Sequence, residues 1–465
     1  MSMFGILRNG VTGLSAAQQA LDVIGQNIAN ANTQGYSRQR VNLATGQATP
    51  TPSLYTGPVT LMNGVSVSSI ERIKNAYLQE AVDTASAKQA ALTSQTAPLA
   101  NAEKLFNEPS DTGLQAAMDG FYSAWSDVAN PSSTGASAAG AVVISRGQVV
   151  AAQLNGLSTG MDAQWQSSRA NLATVVDQAN AAATSLARLN SEISQGQASG
   201  INVNALLDQR DQVVTKLATL VGTTSTVSDQ GLLSVSIGGV ALVSGVHAET
   251  MSLNAGATLS SVAQQQPSLQ IGTVAVSPSS GTAAGLLSAL GTNLPNISGQ
   301  LDTIANSIRD AVNSLQQQGF TAAGDPGGDF FSGTGAGSLS VLVTDPSQLA
   351  ISAAAGSADV SNAQRIADLA NDDIAAQALG GNPGPSQLWR TLTTSVGAQV
   401  QGLNTAQTTQ TSLVTTAQAA VDSDSGVSLD EELSNMLLFQ RSYQASAKII
   451  SIADEMLRTL IGMGS

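Results

Sequence analysis

The 465-residue sequence predicts a mainly α, multidomain protein with terminal coiled-coil helices, a helical bundle domain and a β-rich insertion domain. Three observations predict this. Both chain ends carry apolar residues at the seven-residue or alternating three- and four-residue spacing of a coiled coil. A long segment between residues 162 and 194 repeats the three/four pattern. Between residues 223 and 280 the period changes to two, the alternation of a strand with one buried face.

At the N-terminus Leu7, Leu14, Leu21 and Ile28 recur every seven residues, flanked by Phe4 and Val11. The Asn-rich turn ANANTQGYS (29–37) follows, and then a Pro/Gly/Thr-rich stretch to about residue 69 that reads as extended, with Asn63-Gly64 as a hairpin turn. Helical composition resumes from Glu71 to about Phe106 and again from Leu114 to Val128. In the long segment Leu172, Val175, Ala179, Ala182, Leu186, Leu189 and Ile193 form a packed stripe with small residues that permit close approach. Asn204 stands as the N-cap of a helix that runs through Val221 and stops at Gly222.

Alternation in Leu232–Ile237 and Val240–Val243 around Gly238-Gly239 predicts a β-hairpin, and Gln270–Val276 a further strand. A helix follows over Leu286–Gln318, a short strand over Ser340–Val343 and a polar helix over 386–421. The run VDSDSG (421–426) reads as a linker, because the position where a calcium loop needs a bidentate Glu is Leu433. The last helix starts at a capping box, Ser428 with Glu431, and Asp430, Glu431 and Glu432 suit its N-terminal dipole. From Leu429 to Met463 it spans about 52 Å.

Its apolar series is Leu429, Leu433, Met436, Gln440, Tyr443, Ala447, Ile450, Asp454, Leu457 and Ile461, with Gln440 and Asp454 as polar register positions inside the seam. The candidate assembly interface is therefore Leu7, Val11, Leu14, Leu21 and Ile28 with Leu433, Met436, Tyr443, Ile450, Leu457 and Ile461. Charge favours pairing of the ends. Residues 1–45 carry Arg8, Arg38 and Arg40 against Asp22, whereas 421–465 carry seven carboxylates against Arg441, Lys448 and Arg458. The domain expectation is 1–45 with 422–465 as a terminal coiled-coil domain, 46–222 with 345–421 as a helical rod-like domain, and 223–344 as the β-rich outer domain with a helical segment.

Composition narrows the function. Charged residues make up 11% of the chain and the net charge is −14, against about 25% charged in an average globular protein. The 18 basic residues form no cluster that would neutralise phosphates, so nucleic acid is not an expected partner. Cysteine is absent and His247 is the one histidine, so thiolate and multi-histidine metal sites are excluded. His247 reads as a surface or satisfied histidine. No run of eighteen apolar residues occurs, so no membrane span is expected, and the first residues lack the h-region of a cleaved signal. GDPGGD (324–329) and GTGAGS (333–338) lack the strand-to-helix setting and Lys of a phosphate loop. With no paired acid–base constellation, the expectation is a structural protein, not an enzyme, with no cofactor and no metal.

The stretch IGQNIANANTQGYSRQRV (24–41) resembles the N-terminal signature of bacterial flagellar rod, hook and hook-associated proteins, the axial family, and GYSRQ points within it to the hook-associated members at the hook-filament junction. NGVSVSSIERI (63–73), NALLDQRDQVVTKLATLVG (204–222), AAGDPGGDFF (322–331) and LDEELSNMLLFQRSYQASAKIISIADEMLRTLIGM (429–463) resemble later blocks of such proteins, in the same order. The resemblance implies a structural adaptor of the flagellum that is exported by the type III route and self-assembles through its terminal helices. It implies as partners the hook protein, a second hook-filament junction protein, copies of the chain itself and an export chaperone for the C-terminal region. By the same resemblance Asn27, Asn30, Asn32, Gly35 and Tyr36 belong to the signature turn that caps the first helix, and Tyr443 and Gln444 to the C-terminal helix motif. The alternatives are the hook protein or another axial relative, disfavoured by GYSRQ and LLDQRDQ, and an axial protein with an enzymatic insertion, which would need a carboxylate pair in a cleft.

Overall fold

The computed structural model describes residues 3–33, 35–46, 49–50, 60–61, 64–130, 136–229, 231–357 and 359–463. Helix α1 (Met3–Ala29) leads into the turn before β1 (Gln39–Thr45). β1 pairs antiparallel with β4 (Val65–Arg72), from Gln39 opposite Arg72 to Thr45 opposite Val65, with a register shift after Asn42. The short strands β2 (Thr49–Pro50) and β3 (Thr60–Leu61) extend the same arm. Asn63 of the expected hairpin turn lies outside the described residues, and Gly64 beside it has a left-handed φ of +70°. Glu71 and Arg72, expected to open a helix, end β4 instead. Helix α2 (Ala76–Phe106) starts later, where the Asn75 side chain accepts a hydrogen bond from Leu78 N.

Helix α3 (Leu114–Ala129) lies as expected, but α4 (Ala136–Ala198) has 63 residues and begins well before residue 162. Its first half is hidden in the sequence by glycines, which weaken helix propensity. Packing reverses that penalty. A Cβ on Gly147 would sit 2.7 Å from Phe330 Cε1, on Gly160 3.0 Å from Leu105 Cδ1, and on Gly140 2.9 Å from Pro346 Cβ. At these three glycines other elements come too close to the helix for a side chain to fit without displacement. Helix α5 (Asn204–Val221) ends at Gly222, φ +64°. Asn204 is not its N-cap: Asn202 Oδ1 receives the Asn204 N–H, and the Asn204 side chain donates to Gln39 Oε1 and Ile70 O on the arm, both at 3.0 Å.

β5 (Thr224–Val227), β6 (Leu233–Ile237), β7 (Val240–Ser244) and β8 (His247–Ala248) form an antiparallel meander. Gly238 and Gly239, with φ of +55° and +85°, supply the two left-handed residues of its tight central turn. β9 (Met251–Asn254), β10 (Ser268–Ile271) and β11 (Val274–Val276) form a second sheet. The single strand expected over 270–276 is two strands, split by a turn at Gly272, φ +58°. Helix α6 (Gly281–Ser288) passes through a π-helical turn (Ala289–Asn293) into α7 (Leu294–Gln318). β12 (Phe320–Thr321) pairs with β15 (Ala350–Ser352), and β13 (Phe331–Ser332) with β14 (Ser340–Val341), shorter than the strand expected there. α8 (Ser361–Ala367) and α9 (Asp372–Ala378) precede α10 (Pro385–Ser425). The run VDSDSG is therefore not a linker: α10 continues through Ser425, and the chain turns only at Gly426 before α11 (Leu429–Met463).

One contiguous apolar core runs from Leu99 to Val400 and takes in helices and β-strands alike. Trp165 is fully buried and donates to Leu290 O at 3.0 Å, a carbonyl inside the π-helical turn. Trp389 donates to Glu108 Oε1 at 3.0 Å and meets the Phe106 ring edge-on. Among the described residues, none of α1 or α11 belongs to this core. The terminal helices are held to the body by the arm and by polar contacts.

Helices α2 and α6 cross closely at Gly285, where an added Cβ would run into Ala91 O, Ser94 Oγ and Gln95 N. Backbone atoms cannot swing aside as a side chain can. Gly285→Ala is expected to destabilise the body by about 1–3 kcal/mol, seen as a lower urea midpoint by tryptophan fluorescence. An unchanged midpoint would contradict the crossing.

Candidate assembly site

Helix α1 packs along α11 in antiparallel fashion. A Cβ on Gly10 would meet Ile450 Cγ1 at 2.9 Å and Ser446 O at 3.4 Å, and one on Gly13 would meet Ser446 Oγ at 2.8 Å. Seventeen positions after Gly10, Asn27 reaches Glu432. The contact face of α1 is Gly10, Gly13, Ala17, Ala20, Ile24 and Asn27, a strict three/four series of mostly small residues that lets the two backbones approach. On α11 the matching face passes through Glu432, Met436, Phe439, Ser446, Ile450, Ala453 and Leu457, all buried or half-buried.

The expected seam residues fall on and beside this face. Met436, Ile450 and Leu457 lie half-buried on it. Leu7, Leu14, Leu21 and Ile28 are half-buried next to it, and Val11 is 51% exposed. Leu433, Tyr443 and Ile461 are exposed, at 51%, 38% and 71%. Gln440 and Asp454, expected as polar register positions inside the seam, face solvent in the single chain. The reason is physical: leucines give the strongest apolar signal, but a close helix pair selects glycine and alanine. Gly10, Gly13, Ala17, Ala20, Ser446 and Ala453 carry no strong apolar signal, and the mark of the contact in the sequence is small residues at three/four spacing. Much apolar surface of α11 stays open, including Leu437, Leu438, Ile452, Met456 and Leu460.

A buried polar cluster ties this pair to the body. Asn27, 1% exposed, donates to Gln39 O (2.8 Å) and Glu432 Oε2 (3.1 Å) and accepts from Tyr36 Oη (2.8 Å) and Gln39 N (3.0 Å). All four of its amide valences are used. Asn27 lies in the last turn of α1, which ends at Ala29, rather than in the turn beyond. Glu432, 2% exposed, is paired with Arg38 Nε at 2.7 Å. Glu431, expected to reach back to Ser428, pairs with Arg38 Nη1 at 2.8 Å. Burial opposes the Arg38 charge, and its hydrogen bonds to Glu431 and Glu432 outweigh it and raise its pKa.

Asn30 and Thr33 close the turn: Asn30 Nδ2 donates to Gln26 O and Thr33 Oγ1 to Asn30 Oδ1. Asn32 is exposed, and Gly35, φ +79°, adopts a backbone form that other residues resist. The cluster continues into the body. Ser37 N donates to Asp208, and Arg72 bridges Asp208 and Asp211 at 2.7 and 2.8 Å, with Lys74 on Asp211 at 2.6 Å. Burial, then the charges of Asp208 and Glu432, push the Tyr36 phenol up to about 12. His247 is exposed at β8, and among the described residues no group of His, Cys, Asp and Glu is arranged to hold a metal ion. No helix of the described residues is long and apolar enough to cross a membrane.

Residues 99–331 match the model of the flagellar hook-associated protein FlgK helical domain. The chain belongs to the FlgK family of flagellar hook-associated proteins. Outside that span, residues 7–36 match the flagella basal body rod protein model, and 417–463 the flagellar basal body rod FlgEFG protein C-terminal model. Flagellar hook-associated protein 1 of Bacillus subtilis is 28% identical, with 100% of this chain and 99% of that protein covered. Its counterpart in Salmonella typhimurium is 25% identical, with 99% and 100% covered. The flagellar hook protein FlgE of Rhizobium meliloti is 50% identical over 38 residues, 8% of this chain and 9% of its own. The fold resembles the flagellar hook junction protein FlgK of Burkholderia pseudomallei, with a TM-score of 0.63 and 15% identity over 73% of this chain and 98% of that one. The FlgK family thus accounts for the mainly helical body.

Asn27→Ala strips partners from Tyr36, Gln39 and Glu432 at once, and is expected to destabilise the terminal pair by about 2–3 kcal/mol, read as faster hydrogen exchange in α1 and α11 than in α4. Alkaline pH gives a second check. The Tyr36 pKa is raised from 10.0 to about 12, so its contribution is complete below pH 10 and is lost as pH climbs toward 12. Tyr36→Phe is expected to weaken the pair at neutral pH and to remove that alkaline step from its exchange profile.

Proposed function

We propose that this chain is a structural junction protein that links the flagellar hook to the filament and self-assembles through its terminal helices. The observation that carries this reading is the α1/α11 pair, excluded from the body's core while apolar side chains from Leu433 to Ile461 stay open to solvent. A single chain leaves that surface uncovered. Soluble proteins seldom expose so long an apolar stripe unless something covers it. Leu7, Leu14, Leu21 and Ile28, half-buried beside the small-residue contact, offer a second apolar edge on the same helix pair.

In this reading residues 1–45 with 422–465 form the axial domain, 46–222 with 345–421 the helical domain around it, and 223–344 the outward β-rich part. The partners are copies of the chain, the hook protein and the second hook-filament junction protein, with an export chaperone covering the C-terminal helix beforehand. The protein acts outside the cell, in the flagellum. The thin charge of the whole chain, 11%, favours packing against like surfaces over life as a dispersed monomer.

Leu14→Asp or Leu457→Asp is expected to leave the body folded, by circular dichroism and tryptophan fluorescence, yet to abolish filament attachment and swimming. Normal motility of either variant would sink the reading. In the isolated chain the outer parts of α1 and α11 are expected to exchange amide hydrogens well before α4, since no neighbour covers them; protection equal to that of α4 would count against an unfinished interface.

A further inference from the structure

The small-residue face of α1 packs closely on α11 but carries little information about alignment. The observed pairing sets Gly13 against Ser446 and Asn27 against Glu432. A slip of one heptad would set Gly13 against Ala453 and Ala20 against Ser446, again small against small. The opposite slip would set Gly13 against Phe439, and glycine leaves room for the ring. What both slips destroy is the polar end. In the first, Asn27 meets the Phe439 ring and Glu432 moves past the end of α1. In the second, Glu432 is driven against Ala20 without Arg38 or Asn27, and an isolated buried carboxylate is strongly disfavoured.

We infer that Asn27, Glu432 and Arg38 form the register key of the terminal pair: they select the one antiparallel alignment in which Gly13 faces Ser446. Three features make them suited to it. Asn27 and Glu432 are almost fully buried, so mismatching them carries its full desolvation cost. Asn27 is also tied through Gln39 and Tyr36 to the arm, which fixes its position relative to the body independently of α11. Arg38 pairs with Glu432 Oε1 while Asn27 donates to Oε2, so both carboxylate oxygens are satisfied in the observed register. A polar position inside an apolar seam has this role in coiled coils, where it trades stability for a single alignment. The key concerns the pairing within one chain and holds whether or not the assembly reading does.

The absence of cysteine makes the test direct. A Cβ on Gly13 lies 3.7 Å from Ser446 Cβ, close to the ~3.8 Å typical of a disulfide. Gly13→Cys with Ser446→Cys therefore reports the observed register, and Gly13→Cys with Ala453→Cys the slipped one. Oxidation is done on dilute full-length protein, counting only monomeric product. With the key intact, the first disulfide is expected to exceed the second by at least about tenfold, equivalent to about 1.4 kcal/mol. With Asn27→Leu and Glu432→Leu added, which keep the seam apolar, the two are expected to form in comparable yield. Glu432→Gln, which keeps the shape and loses the charge, should fall between. The inference is overturned if the Leu variant retains the original excess. It is equally overturned if neither disulfide forms while tryptophan fluorescence shows a folded body, because the cluster would then hold the helices together without aligning them.

Discussion

The side-chain amide of Asn27 is the point through which the chain's two ends are joined to everything else. It bonds three segments at once: Tyr36 in the turn after its own helix, the Gln39 backbone at the start of the arm, and Glu432 at the start of the last helix, 405 positions away. Because, among the described residues, the terminal helices contribute none to the body's apolar core, hydrophobic burial in that core does not orient them. Orientation falls to directional bonds instead. The chain of contacts from Glu432 through Asn27, Tyr36 and Gln39 to Asn204, with the Ser37 N–H on Asp208 beside it, runs from the last helix into α5. Such a connection is strong in direction and weak in area. It suits a part whose remaining surface is to be covered by something else.

Body and terminal pair use helices in different ways. In the body, large side chains such as Trp125, Trp165 and Phe330 fill the space between elements, and glycines appear where a neighbour must come close. In the terminal pair glycines and alanines lie in the contact, and the leucines of α1 are turned toward its edges. The first arrangement completes a core within one chain. The second leaves apolar surface over, consistent with the FlgK family's place among axial flagellar proteins.

The sequence made the final helix legible to the residue, since Leu429 to Met463 combines an acidic start with sustained three/four spacing. Gly238-Gly239 announced the central turn of the meander, and Gly222 the end of α5. Other features depended on tertiary structure. The first half of α4 reads as glycine-interrupted until Phe330 and Leu105 are seen packing into those gaps. Asn204 looks like a cap because asparagine usually is one there, and only the arm, folded back from Gln39 and Ile70, shows its other use. On α1 the expected leucines stand one residue off the contact face for a related reason, while Met436, Ile450 and Leu457 of α11 lie on it. Hydrophobicity ranks leucine over glycine, whereas distance between backbones ranks them the other way.

Helix α4, at 63 residues, would be about 95 Å long if straight. A continuous helix of that length acts as a ruler for whatever is attached along it. Inserting one residue within it would turn everything beyond by about 100° and advance it by about 1.5 Å, misplacing Gly147 from Phe330 and Asn190 from the Leu233 and Gly245 carbonyls it bonds. A change of length is therefore better borne in the turns between strands and in the loops at its ends than within this element, whose two extremities it holds at a fixed distance and angle.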